Sequence, residues 1–154
     1  MTSPAFQSEY ETIKTFLEEK PASQKAVQCL KLGTEIGLRI NNSELFTYLN
    51  LNNEPNVNPL PPKNHDVEFD ISSVAVNKLK TLPATDMGDF GIEVVKMVLL
   101  GEIKIKVVGS MFAMVKNGYL KIIKEAGPSF LSFLGKNGVN SLAKIPQIFK
   151  NLRS

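Results

Sequence analysis

Residues 89–109 read DFGIEVVKMVLLG followed by EIKIKVVG. The first part is apolar on nearly every side of a helical wheel from Phe90 to Leu100, which predicts a helix that other parts of the protein cover on more than one side. The second part alternates apolar with charged residues, the period of a strand with one buried face. The apolar positions are Ile103, Ile105 and Val107, and the charged ones are Glu102, Lys104 and Lys106. The stretch therefore predicts a helix that leads directly into an amphipathic strand within a compact α+β domain.

Two helices are predicted ahead of this unit. Apolar residues recur at helical spacing between Pro4 and Pro21, and a second helix is predicted over residues 23–31, with Gly33 as its stop. The apolar stripe of the first helix consists of Phe6, Tyr10, Ile13 and Leu17. We expect these two helices to cover the rest of the domain.

The period changes to two at Ile36, which predicts a β-hairpin with its turn at Asn41-Asn42. In its second strand the alternation is expected to place Leu45, Thr47, Leu49 and Leu51 on one face. Residues 52–64 contain four prolines among asparagines, a composition that predicts an exposed loop and no strand. Residues 67–71 alternate again, and Ser72-Ser73 is expected to cap a short helix that ends near Pro83.

A further apolar helix is predicted after Gly109 and ends at Gly127-Pro128. Its stripe consists of Met111, Met114, Val115, Tyr119, Ile122 and Ile123. Beyond it, Leu142, Ile145, Phe149 and Leu152 predict a last amphipathic tract with lysines on its polar side.

Length and composition predict one domain over residues 1–154, large enough to bury a core without metal or disulfide bonds. The single cysteine, Cys29, favours a reducing compartment. The first residues do not resemble a secretory signal, and the longest apolar run, residues 94–100, is too short to span a bilayer. We therefore expect a cytoplasmic protein.

Charge is distributed unevenly along the chain. Residues 1–77 carry 6 Lys/Arg against 10 Asp/Glu, a net charge of −4, whereas residues 78–154 carry 12 against 5, a net charge of +7. This asymmetry fits a face for anionic lipid head groups or nucleic acid, or a dipolar solvated surface. Nucleic acid is disfavoured because the aromatic residues lie on the apolar stripes, and are not interleaved with exposed basic residues.

The residues supply little chemistry. Asp89-Phe90-Gly91 and the Ser141-to-Lys144 spacing match kinase and Ser-Lys nucleophile motifs, but the accompanying signatures of both classes are missing. His65 beside Asp66 has no second imidazole with which to form a metal site. The sequence therefore predicts no catalytic residue, no metal ligand and no cofactor.

The order of elements resembles the sterol carrier protein 2 domain family. The resemblance covers about residues 33–127 and rests on the hairpin, on the strand that ends in Ser72-Ser73, and on GEIKIK at residues 101–106 before a Met-rich helix. It implies a five-stranded, mainly antiparallel sheet with helices on one side, and an apolar tunnel between them for fatty-acyl chains, sterols or isoprenoids. Residues 1–32 are then a helical cover and residues 128–154 an extra C-terminal helical tract, either a lid or a membrane-contact helix. Val107-Val108 before Gly109 departs from the family pattern.

The leading hypothesis is a non-catalytic lipid-binding module. The residues expected to line its cavity are Phe90, Val94, Val95, Val98, Leu99, Ile103, Ile105, Met111, Met114 and Val115. Transient contact with a membrane surface is expected through head-group contacts of Lys136, Lys144 and Lys150. Two alternatives stay open: a protein-interaction or assembly module that uses the apolar helical faces without a small-molecule ligand, and an enzyme acting on a lipid-like substrate with carboxylates or Tyr119 as acid or base.

Overall fold

The computed structural model describes residues 4–83 and 85–136, and this part of the chain forms seven helices and five strands. In chain order they are α1 Pro4–Glu19, α2 Pro21–Cys29, β1 Glu35–Ile40, β2 Phe46–Leu51, β3 Glu54–Asn58, β4 His65–Ile71, α3 Ser73–Thr81, α4 Met87–Leu99, β5 Ile103–Val107, α5 Met111–Lys116, α6 Tyr119–Glu125 and α7 Pro128–Lys136. The predicted amphipathic tract beyond Lys136, with Lys144 and Lys150, lies outside the described residues. The prediction of an α+β fold with a five-stranded sheet is confirmed for this part of the chain.

The sheet is mixed and has the strand order β3-β2-β1-β4-β5. The pairs β1–β2, β2–β3 and β4–β5 are antiparallel, whereas the central pair β1–β4 is parallel. The expectation of a mainly antiparallel sheet is therefore wrong. The parallel pair arises because the segment between β3 and β4 carries the chain back across β2 and β1, so that β4 runs alongside β1 in the same direction. Hydrogen bonds attach this connecting segment to the strands that it crosses. Thr47 Oγ1 of β2 donates to the Leu60 carbonyl, and the Glu35 carboxylate of β1 accepts the N–H groups of Lys63 and Asn64.

The prediction of a loop over residues 52–64 is wrong for its first part, which contains β3. Asn52 and Asn53 both have positive φ, 56° and 68°, and form a two-residue turn of the type that closes tight hairpins. Pro55 lies opposite Asn50 in an edge strand, and an edge strand tolerates proline because an N–H on its outer side is not needed for the ladder. The repeated Asn-Asn pair, also used at Asn41-Asn42, is the sequence signal for this hairpin.

The predicted phase of β2 is wrong by one residue. Phe46, Tyr48 and Asn50 are buried on the helix side of the sheet, Thr47 is buried on the other face, and Leu51 is exposed. The five-residue connection from β1 sets this phase, and the pairing of Leu38 with Phe46 places both on the core face.

Side-chain caps fix the starts of three helices. Ser72 Oγ accepts from the Ala75 N–H, Asp86 accepts from Gly88 and Asp89, and Ser110 accepts from Ala113. The single helix predicted after Gly109 is divided into α5 and α6, because Gly118 adopts a left-handed conformation with φ 95° between them.

Helices α1, α2 and α4 pack on one face of the sheet, with α3 against α1, α6 against α2, and α7 against α4. Phe130 of α7 lies over Gly91, where a Cβ would approach its ring to 2.7 Å. Helix α4 is nevertheless covered on only part of its surface, since Leu99 is 62% exposed and Leu100, just after it, is 67% exposed. Helix α4 packs against α2, α7 and β5, so it is covered on more than one side as expected, but its C-terminal turn is exposed.

Candidate functional site: an apolar cavity between sheet and helices

The core contains a cavity of about 190 Å³ between the sheet and the helices. Its walls come from the N-terminal helices, from the core face of the sheet, and from α3, α4 and α6. The lining residues are Ile13, Phe16, Leu17, Ser23, Ala26, Leu30, Ile36, Leu38, Tyr48, Phe69, Ile71, Leu79, Phe90, Val94, Ile103 and Ile122. Apart from the hydroxyls of Ser23 and Tyr48, these side chains are hydrocarbon.

The two hydroxyls are engaged with each other and with the backbone. Ser23 Oγ lies 3.0 Å from Tyr48 Oη and donates to the Leu17 carbonyl at 2.5 Å, and Tyr48 Oη donates to the Ser23 carbonyl at 3.3 Å. Burial raises the pKa of Tyr48 to about 12, with the Ser23 hydrogen bond opposing the shift. The phenol therefore stays neutral at physiological pH, and the cavity presents no charge and no unused polar group to its contents.

Such a cavity selects apolar contents. An apolar space of ~150 Å³ in another protein stays dry and binds benzene, because water inside it would lack hydrogen-bond partners. Leaving apolar space empty costs roughly 24 cal/mol per Å³. For 190 Å³ this is a penalty of about 4–5 kcal/mol, which a bound hydrocarbon group would relieve.

Part of the cavity wall consists of half-buried side chains on α2, α4 and α6. Ala26, Val94 and Ile122 each line the cavity and are each half-buried, so these side chains reach from the cavity towards solvent. Phe90 of α4, whose ring centroid lies 5.5 Å from that of Phe16 in α1, is also half-buried. A modest separation of these helices would open the cavity on this side.

Three of the residues predicted from the sequence line the cavity: Phe90, Val94 and Ile103. Four others contribute to the protein without lining it, since Val98 and Ile105 pack against the core, Met114 is fully buried and Val95 is half-buried. Leu99 and Val115 lie on the surface, at 62% and 51% exposure, because they occupy the outer sides of α4 and α5. The expectation that these two line a cavity is therefore wrong. Met111 begins α5, and its side chain lies outside the described part of the structure.

Sequence reasoning missed the half of the cavity that the N-terminal elements provide. Ile13, Phe16 and Leu17 of α1, Ala26 of α2 and Leu30, just after α2, line the cavity on this side. Their apolar stripes were visible in the sequence, but a stripe indicates only that a helix faces the interior. The core-face residues of β1 were likewise recognisable by their alternation.

The polar residues singled out in the sequence lie elsewhere. His65 Nε2 is 2.7 Å from Glu68 Oε2, and within the described residues no group of three His, Cys, Asp or Glu side chains could hold a metal ion. Tyr119 is buried, with burial raising its pKa, so a role as base at neutral pH is disfavoured. Lys136, at the end of α7, is exposed. None of the helices that the structure describes has the length and apolar composition needed to cross a bilayer.

Neither a protein-family model nor a curated protein matches this chain. Its structure is similar to a solved structure described as "UbiJ-SCP2 Ubiquinone synthesis protein", with 16% sequence identity and a TM-score of 0.44. The similarity covers 79% of this chain and 94% of that chain.

Proposed function

We propose that this protein is a non-catalytic carrier that binds the hydrocarbon part of a lipid in the cavity between the sheet and the helices. The observation that supports the proposal is the cavity of about 190 Å³, in which, among the described lining residues, polar side chains occur at Ser23 and Tyr48 alone and both are already hydrogen-bonded. A ligand with a polar head would keep that head outside, because the cavity offers it no partner.

A single flexible chain fits this cavity better than a fused-ring sterol. The cavity is little larger than one that holds benzene, so a rigid four-ring skeleton would require several helices to move together. A fatty-acyl or isoprenoid chain could place a few carbons in the existing space and extend between α2, α4 and α6 as these helices separate. We therefore favour acyl and isoprenoid ligands over sterols among the three classes.

Contact with a membrane surface is the accompanying proposal. Lys136 is exposed at the end of α7, and together with Lys144 and Lys150 it would attract anionic head groups while the ligand transfers. Basic side chains near such a surface contribute roughly 1 kcal/mol each. Vesicle co-sedimentation with phosphatidylserine against phosphatidylcholine alone tests this part, and equal binding to both compositions would contradict it.

The test of ligand binding begins with mass spectrometry of organic extracts from the purified protein. After removal of any lipid, titration with a fluorescent 18-carbon polyene fatty acid measures uptake. Val94→Phe places a ring in the cavity and is expected to weaken probe binding about tenfold or more, because the ring and the chain compete for one space. A protein that carries no extractable lipid and takes up neither the acyl probe nor an isoprenoid analogue would refute the proposal.

Val74→Phe is the matched control, since Val74 lies on α3, is exposed and does not line the cavity. It makes the same change in side-chain volume and should leave probe affinity unchanged. If both substitutions weaken binding equally, the probe binds to the surface and the cavity is not its site.

An assembly module is a second candidate, supported by a different observation. Large apolar side chains are exposed at Leu99, Leu100 and Phe112, the last at 77%. Exposed apolar residues of this kind mark contact sites when they form a contiguous patch. Light scattering coupled to size exclusion separates the two functions, because a stable oligomer without probe uptake supports assembly and a monomer that binds the probe supports the carrier.

A further inference from the structure

The two edges of the sheet are treated in opposite ways. At the β3 edge, Val57 N–H donates to Glu18 Oε2 at 2.8 Å and its carbonyl accepts from Lys14 Nζ at 2.8 Å. Lys14 and Glu18 are themselves paired along α1 at 2.8 Å. Pro55, the other residue of β3 with its backbone turned outward, has no N–H. Helix α1 and Pro55 together close this edge to a further strand.

In the part of the chain that the structure describes, no strand or helix covers the β5 edge. Ser72 N–H donates to the Glu102 carbonyl and Val108 N–H donates to the Asp66 carbonyl. In an antiparallel pair the backbone N–H and C=O groups of successive residues point alternately towards the partner strand and away from it. The N–H and C=O groups of Lys104 and Lys106 therefore point towards β4, whereas those of Ile103, Ile105 and Val107 point away from the sheet. Among the described residues, no backbone hydrogen bond satisfies these outward groups. Three donors and three acceptors are therefore aligned at a free edge.

Two lysines of β5 lie beside this edge. Lys104 and Lys106 are exposed, and neither forms an ion pair within the part of the chain that the structure describes. The carboxylates next to them on β4 are engaged in other interactions. Glu68 pairs with Arg39 at 3.7 Å and His65 at 2.7 Å, and Asp70 accepts the Asn42 N–H at 2.9 Å. Asp70 and Glu68 lie opposite Lys104 and Lys106 in the β4–β5 pair, but within the described residues neither lysine ammonium contacts a carboxylate, so both remain available to a strand added at this edge.

The same lysines disfavour a second copy of this chain at the edge. If two β5 strands paired antiparallel about Ile105, each Lys104 would lie opposite a Lys106 of the other copy. Like charges directly opposite each other destabilise a strand pair. A strand with carboxylates at those positions would instead be attracted, and its intervening apolar side chains would lie beside Ile105, which is half-buried.

From this geometry we propose that the β5 edge is a docking site for an extended segment of another protein in which acidic and apolar residues alternate. The segment adds a sixth strand through the outward groups of Ile103, Ile105 and Val107, and its carboxylates pair with Lys104 and Lys106. Strand addition of this kind takes affinity from the main chain and specificity from alternate side chains. The site is independent of the cavity and does not rest on the lipid proposal.

The first test uses fluorescein-labelled peptides and the full chain. The acidic probe is Glu-Val-Glu-Val-Glu-Ser, and the reversed probe is Lys-Val-Lys-Val-Lys-Ser. We expect the acidic peptide to bind and the reversed peptide to bind at least about tenfold more weakly, because like charges would face each other. The double variant Lys104→Glu/Lys106→Glu should invert this preference. If neither peptide binds, or the double variant does not change the preference, the proposal is wrong.

The second test examines the backbone. Ile105→Pro removes an outward N–H without removing a hydrogen bond to β4, and Ile105→Ala removes most of the side chain but keeps that N–H. Acidic-peptide affinity should fall about tenfold further in the proline variant than in the alanine variant, while both keep the far-ultraviolet circular dichroism spectrum of the unaltered protein as evidence of folding. If the proline and alanine variants bound the acidic peptide equally well, the peptide would not bind at the β5 edge.

Hydrogen exchange identifies the occupant. In the protein without peptide, the amides of Ile103, Ile105 and Val107 should exchange quickly, and the acidic peptide should protect them. Protection already present in a monomer would assign the edge to residues 137–154 of this chain, and protection in a dimer would assign it to a second copy. Either result would overturn the proposal.

Discussion

At the scale of single residues, Asn50 shows why a polar side chain stands where the strand pattern would place an apolar one. It is 1% exposed, and its Nδ2 donates to the carbonyls of Val27, Leu30 and Lys31, while its Oδ1 accepts the Asn53 N–H. The side chain thus satisfies the end of α2 and the turn of the β2–β3 hairpin together. A buried amide whose hydrogen bonds are all formed stabilises a fold. Removing it leaves its buried hydrogen-bond partners unsatisfied, which lowers the free energy of unfolding.

We predict that Asn50→Ala lowers the free energy of unfolding by about 3 kcal/mol, because several buried carbonyls and one N–H lose their partner. Urea denaturation at pH 7 measures the change. Asn77→Ala, an exposed position on α3, is the control and should alter stability by less than about 0.5 kcal/mol. A loss of equal size at both positions would show that the Asn50 hydrogen bonds contribute no net stability.

The Tyr48 hydroxyl predicts a fall in stability at alkaline pH. Burial raises its folded-state pKa to about 12 from an ordinary value of 10.0, so the unfolded state releases the phenolic proton first. The stabilising contribution is fully present below pH 10 and is lost as pH rises towards 12. The expected slope is about −1.4 kcal/mol per pH unit for this residue.

Urea denaturation between pH 9 and about pH 11 tests this, with Tyr48→Phe as the comparison. The phenylalanine variant should lose stability less steeply above pH 10, because it has no proton to release. Burial also raises the pKa of Tyr119, so some slope should remain in the variant. Parallel curves for the two proteins would contradict the assignment to Tyr48.

At the scale of elements, the pairing of Lys14 and Glu18 with β3 has a role beyond holding α1 in place. An exposed strand edge invites pairing with other chains, and natural sheets block their edges. Lys14→Ala/Glu18→Ala frees the N–H and carbonyl of Val57. We expect this variant to form oligomers or aggregates at concentrations where the unaltered protein does not.

Light scattering against concentration measures this effect. Gln7→Ala/Glu11→Ala is the matched control, since these side chains form an i,i+4 hydrogen bond on the same helix at exposed positions. It removes a similar pair without freeing the strand and should not increase association. If the control associates as much as the test variant, weakening of α1 is the cause.

The junction between α5 and α6 depends on Gly118. Its φ of 95° is strained for other residues, and a Cβ there would collide with the Cys29 carbonyl at the end of α2. We predict that Gly118→Ala lowers the free energy of unfolding by about 3 kcal/mol, the sum of left-handed strain and a backbone shift. Thermal denaturation checks the value.

Gly101→Ala separates the two contributions. Gly101 also has positive φ, 77°, but a Cβ there would meet no described atom within 4 Å. Gly101→Ala should therefore lower the free energy of unfolding only by the left-handed backbone strain, about 1–2 kcal/mol. If Gly118→Ala and Gly101→Ala lowered the free energy of unfolding equally, the backbone near Cys29 would have to accommodate the added methyl group without loss of stability.

At the scale of the whole molecule, the cavity predicts sensitivity to pressure. Unfolding eliminates internal voids, so a larger void makes the volume change of unfolding more negative. Val94→Phe fills part of the cavity and should raise the pressure midpoint of unfolding, as should the bound acyl probe. Intrinsic tyrosine fluorescence under pressure measures both, with Val74→Phe as the control that should match the unaltered protein. An unchanged midpoint in the filled variant would mean that the cavity closes on its own in solution.

Local chemistry in the sequence determined the helices, most strands and their caps. Serine caps at Ser72 and Ser110, the stop at Gly127 and the alternation of residues 102–108 act between neighbours in the chain, so they are readable from the order of residues. The Asn52-Asn53 turn before β3 is also a local signal in the sequence. The prolines that follow it, however, led to the prediction of a loop. Proline excludes a strand only where its N–H is needed, and that depends on the strand being at an edge.

Only the tertiary structure decided the parallel β1–β4 pair, the phase of β2, the cavity and the open β5 edge. Each depends on which segments meet across long stretches of chain. Periodicity shows that Phe90, Val94 and Ile103 face inward, as do Ile13 and Leu17, but it does not show whether their side chains fill the space between them. The apolar pattern of residues 89–100 predicted more apolar surface than one neighbouring element could cover. The packing of α7 and the sheet against α4 determined which part of that surface lines the cavity and which part, at Leu99 and Leu100, remains exposed.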